Sequence, residues 1–133
     1  MKSNTEYIYT FPNASSTLRV VEYLRNKCQP YLDSVAVINQ IDCWLIQVWL
    51  KEFTPIDSAK NIKAFFSEMG VPSQPATKIV NALTCLQLGE SPTAVMNRYQ
   101  VVIVAHGKPV TEEIEIFRDQ IVDRLGYCPH NMA

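Results

Sequence analysis

The stretch SVAVINQIDCWLIQVWLKEF, Ser34 to Phe53, decides the fold. Its two apolar runs are rich in valine and isoleucine, which favour extended chain, and a polar break from Asn39 to Asp42 separates them. A hairpin is the economical reading. A single long strand is the alternative, because the break holds no Asn-Gly or Asp-Gly pair to force a tight turn. CWLIQVWL, and further along VVIVA, are apolar at consecutive positions and therefore on both faces of any strand they form. Such strands belong to a sheet covered on both sides, by helices or by a second copy of the chain.

Upstream, EYIYTF (Glu6 to Phe11) is aromatic and β-branched and closes at Pro12-Asn13, as a strand does. Ser15 or Ser16 then suits the cap of a helix with Leu18, Val21, Leu24 and Cys28 on one face, ending before Pro30. Downstream, Thr54 as N-cap, Pro55 in the first turn and Asp57 predict a second helix. Its apolar face is Ile62, Phe65, Phe66 and Met69, and Gly70 is expected in the left-handed position after it. A helix carrying Ile79, Val80, Leu83 and Leu86 follows, then a short one begun by Ser91-Pro92. The strand YQVVIVAHG and a last helix with Ile114, Phe117, Ile121 and Leu125 inward complete the order.

With no repeat, low-complexity tract or long linker, residues 1–133 are expected to form a single α+β domain. The expected arrangement is the ferredoxin-like βαββαβ plan, with a helical insertion before the last strand and an extra C-terminal helix.

Composition narrows the function. At 47% hydrophobic, 19% charged and a formal net charge of -1, the chain suggests neither disorder nor general polyanion binding. Cys28, Cys43, Cys85 and Cys128 stand singly, and MKSNTEYIY has no apolar run of a secretory signal, so reduced thiols and a cytoplasmic setting are expected. Neither a metal nor a cofactor is expected: Cys128 and His130 are the one close pair of zinc-type ligands, and a GxSxG elbow and the phosphate-loop and dinucleotide fingerprints are missing from the sequence. No apolar run reaches the length of a membrane span.

One candidate site lies at the strand end His106-Gly107-Lys108 with Thr111. Loops beyond carboxyl strand ends leave N–H groups and helix starts free for ligands, and His106 is the one weak catalytic candidate. Glu112, Glu113 and Glu115 oppose an anion at that helix start. The six residues VIVAHG resemble the strand-histidine-glycine ending of chelatase-type enzymes, and the resemblance stops there. Asp33, Asp42 and Lys51 do not complete a two-metal nuclease pattern, since Trp49 stands where its lysine belongs.

The other candidates are aromatic. Tyr7, Tyr9 and Phe11 share one strand face, and Trp44 and Trp49, five positions apart, point to opposite faces. Tyr7, Tyr9, Trp44 and Trp49 are candidates for an interface, which the surplus apolar surface invites. The favoured function is an adaptor or regulatory module that binds a protein partner, acting as a homo-oligomer. Two alternatives stand beside it. One is a nucleic-acid-binding regulator using the helical segment 75–98 or the sheet aromatics, with Arg19, Arg25, Lys27, Lys60, Lys63 and Lys78 on one face. The other is an enzyme or ligand-binding protein centred on His106.

Overall fold

The computed structural model describes residues 5–133. It contains β1 (Glu6–Phe11), α1 (Ala14–Lys27), a 3-10 turn (Gln29–Tyr31), β2 (Leu32–Asn39) and β3 (Trp44–Leu50). α2 (Ile56–Met69), β4 (Val71–Pro72), α3 (Thr77–Gln87), α4 (Pro92–Tyr99), β5 (Val102–Gly107) and α5 (Glu112–Leu125) follow, with a final 3-10 turn at His130–Met132. The strands form one sheet in the order β4-β1-β3-β2-β5, each neighbouring pair antiparallel. No helix among these residues is long and apolar enough to cross a membrane.

The Ser34 to Phe53 stretch is a hairpin: Gln40 N–H donates to the Cys43 carbonyl at 2.8 Å, and the registers Asn39↔Trp44 to Val35↔Val48 run back from it. β2 begins earlier than expected, at Leu32, with a bulge between Leu32 and Ser34. Both faces of these central strands are covered, as their sequence requires. On the first face Tyr9, Phe11, Val37, Trp44, Ile46 and Val48 pack with α1, α2 and α5. On the second, Ala36, Ile38, Leu45 and Ile103 pack beneath α3 and α4. Phe66 joins Tyr9 and Phe11 edge-on, with ring centroids 5.4 and 5.8 Å away. Such pairs add about 1 kcal/mol each to the burial of the rings.

One expectation about topology is corrected. The βαββαβ plan puts its last strand beside β1, which would place VIVAHG there. Val71 and Pro72 take that place instead, opposite Thr10 and Tyr9. The paired register is two residues long, with Ser73 N–H reaching the Ile8 carbonyl at 2.9 Å just beyond it. α3 and α4 then carry the chain across the second face to the far side of β2, where β5 pairs.

Helix ends differ in detail. Asn13, not Ser15 or Ser16, caps α1, its Oδ1 accepting from Ser16 N–H at 2.9 Å. Thr54 does not cap α2; its hydroxyl donates to the Lys51 carbonyl at 2.7 Å, and Pro55 takes the cap position. Gly70 is extended (φ -155, ψ -162) rather than left-handed. It is glycine for space: a Cβ there would stand 2.2 Å from the Thr10 carbonyl oxygen and 2.6 Å from the Phe11 ring. Leu125, expected inward, is exposed in the last turn of α5, whereas Ile114 is fully buried. The segment after Gly126 folds back, and Met132 is buried in the first core.

Candidate functional site

The second face is only partly roofed. α3 lies over β2 and β3, leaving the second face of β1 and the adjoining part of β3 as an apolar groove of about 390 Å³. Glu6, Ile8, Gln47 and Trp49 form its floor, and Val80, Leu83, Thr84, Gln87 and Leu88 form its wall. Val80 is 43% exposed and Leu88 76%, apolar side chains left at the rim of a core.

Two of the polar groups in this lining are buried. Gln47 is buried in the middle of β3 and donates through Nε2 to the Glu6 carboxylate on β1. Trp49 Nε1 is buried and has no hydrogen-bond partner among the described residues. A buried unpaired donor costs roughly 1–3 kcal/mol, and native structures carry few of them.

The two tryptophans part as alternation requires. Trp44 is 0% exposed in the first core, with Phe117 edge-on at 5.7 Å. Its indole N–H donates to the Asn131 carbonyl at 2.7 Å. Its expected place at an interface is therefore corrected: the returning C-terminal segment covers it. Tyr9 is likewise core, with its hydroxyl 2.8 Å from Ser67 Oγ. Tyr7 is half-buried beneath α2 and donates to the Ala59 carbonyl at 3.3 Å; burial raises its pKa. With α1 and α2 over them, these aromatics have no open face on which a base could stack. Trp49 is the interface candidate that reaches a groove.

The structure does not assemble the four residues at the β5 end into a cradle. His106 is half-buried on β5, opposite Ala36, and its imidazole makes no hydrogen bond to the described residues. Gly107 takes a left-handed turn (φ 104), and Lys108 is exposed. Thr111 accepts from Arg25 Nη1 at 3.5 Å, and the same guanidinium lies 3.9 Å from Glu112. The start of α5 is thus already supplied with charge of both signs. No three His, Cys, Asp or Glu among the described residues gather as metal ligands.

Burial lowers the pKa of His106 below its ordinary 6.5. The unfolded chain then binds the proton more readily than the folded one, so stability is full above about pH 6.5 and falls as pH drops through the folded value. Urea midpoints at about pH 7.5 and about pH 5.5 should differ less in His106→Asn than in the wild type. An equal pH slope in both would remove His106 as the source.

For nucleic acid, Arg19, Arg25 and Lys27 lie on α1 and Lys60 and Lys63 on α2, over the first face, whereas Lys78 lies on α3 over the second. Five of the six thus lie on the two helices over the first face, and Lys78 lies apart from them. In segment 75–98, Arg98 is held by Glu90 at 2.7 Å and contacts Cys85 Sγ at 3.6 Å, which spends the one basic group of α4.

Glu6, Gln47, Val80 and Leu88 escaped sequence reasoning as site residues. Gln47 carried a signal: a polar side chain inside the run WLIQVWL must find a partner when both faces are covered.

No protein-family description matches the chain, and no curated protein sequence matches it. Among solved structures, the C-terminal domain of YpbH is similar, with a TM-score of 0.52 and 14% identity over 86% of this chain and 99% of that one. At that identity the similarity extends to the fold alone; among its described residues this chain has a mixed arrangement with a five-stranded antiparallel sheet and five helices.

Proposed function

We propose that this protein is a small binding module, an adaptor or regulatory unit of the cytoplasm, that holds an apolar segment of a partner protein in the groove between α3 and β1. The observation that carries the reading is Trp49, whose indole forms the floor of an apolar groove while its N–H lacks a partner among the described residues. A partner that covers Leu88 and Val80 gains roughly 1.5–3 kcal/mol per fully buried side chain. Turning the indole towards an acceptor on that partner relieves the cost of the unpaired donor. A second copy of the chain is one such partner, which makes homo-oligomerisation part of the same reading. In fold terms we read β1, α1, β2, β3, α2 and β4 as a ferredoxin-like unit in strand order 4-1-3-2, to which α3, α4, β5 and α5 are added.

The chain has two indole N–H signals in a nitrogen-proton correlation spectrum, and they serve as reporter and control. On association the Trp49 signal should move downfield as it gains an acceptor, while Trp44, already bonded to Asn131, stays in place. Proteins retained by the wild type and lost by Leu88→Asp are then added singly, and sedimentation equilibrium tests the second copy. Leu88→Asp should weaken association by about tenfold or more, equal to about 1.4 kcal/mol. A Trp49 signal unmoved by every retained protein and by concentration would remove the groove from the reading.

A further inference from the structure

The groove continues into an open strand edge. Leu50 N–H donates to the Thr5 carbonyl at 2.8 Å, so by alternation Thr5, Tyr7 and Tyr9 turn their main-chain groups to β3, and Glu6, Ile8 and Thr10 turn theirs to the opposite edge. β4 covers that edge only at Tyr9 and Thr10, and Ser73 N–H reaches the Ile8 carbonyl at 2.9 Å. Both main-chain groups of Glu6 and the N–H of Ile8 have no partner among the described residues. Glu6 and Ile8 therefore belong at once to the groove floor and to the unpaired edge. The Glu6 side chain, exposed at the mouth, gives the surface a negative charge there.

We propose that groove and edge form one receptor for an extended segment of a partner protein, which adds to β1 as a strand, inserts an apolar side chain beside Trp49 and sets a lysine or arginine against Glu6. The proposal rests on the groove reading above and names the partner's conformation and charge. Strand addition combines main-chain hydrogen bonds, which fix register, with pockets for alternate side chains, which select sequence. Both parts are in place here: the unpaired groups of Glu6 and Ile8 supply the first, and the cavity lined by Trp49, Val80 and Leu88 the second. Charge complementarity at Glu6 selects a basic neighbour over an acidic one.

The test uses the full chain and pooled, end-capped hexapeptides with leucine fixed at the third position, a lysine or glutamate pool at the next-nearest alternate position, and N-methylated counterparts. The lysine pools should shift the Trp49 indole signal and slow hydrogen exchange at the Ile8 amide, and backbone N-methylation should weaken binding about tenfold or more. Glu6→Gln should reduce the preference for lysine over glutamate several-fold. If N-methylated and unmethylated pools bind alike, strand addition falls and the groove reading stands. If a leucine-bearing helical peptide shifts Trp49 and the extended pools do not, the partner is a helix and the proposal is overturned. If neither kind of peptide moves Trp49 at millimolar concentration, both readings fall.

Discussion

Replacing Trp44 by alanine is expected to lower the unfolding free energy by about 4 kcal/mol, seen as a fall in the urea midpoint at unchanged slope. The side chain is fully buried, touches Phe117 edge-on at 5.7 Å and ties the returning C-terminal segment down through the 2.7 Å bond to Asn131. The alanine variant leaves a large void and releases that bond together, while Asn131 keeps its own amide tie to the Ile41 carbonyl at 2.9 Å. Trp44→Phe separates the two contributions. It retains much of the apolar volume and loses the indole N–H, so it should cost roughly 1–2 kcal/mol. A cost below about 1 kcal/mol for the alanine variant would mean that the indole is at a surface, as a strand-end interface residue would be.

Gly70→Ala is expected to cost about 3 kcal/mol, the upper range for forcing extra volume into a packed site. The added carbon would lie 2.2 Å from the Thr10 carbonyl oxygen, a main-chain atom that moves only if β1 moves. A glycine kept for a left-handed helix end would lose roughly 1–2 kcal/mol on the same change, so the size of the effect separates the two explanations. A second change adds a check. Phe11→Leu clears the ring contact at 2.6 Å but not the carbonyl, so it should not restore Gly70→Ala. Restoration, measured by thermal or urea unfolding, would place the conflict on the ring instead.

Gly70 also illustrates where sequence reasoning ended. A glycine after a helical run is read as a left-handed terminus because local chain geometry is what a sequence window contains. The reason for this glycine lies in β1, some sixty residues upstream, and no local pattern carries it. β4 escapes a sequence window for a related reason: two residues, one of them proline, have no periodicity, and pairing with Thr10 and Tyr9 alone makes them a strand. The site was legible in part. Trp49 could be assigned to the face opposite Trp44 by counting, but which face would be roofed and which left as a groove depended on where α3 landed.

The sequence by itself determined the elements with strong periodicity, the extended character of the two runs flanking the Asn39 to Asp42 break, the covering of the sheet on both faces and the opposition of the two tryptophans. Each follows from alternation or helical spacing within a short window. Tertiary structure decided which edge β5 joins, that the C-terminal segment buries Trp44, and that Glu6, Gln47, Trp49, Val80 and Leu88 meet at one groove. These depend on contacts between residues far apart in the chain, whose free energy is shared among many weak interactions and is encoded at no single position.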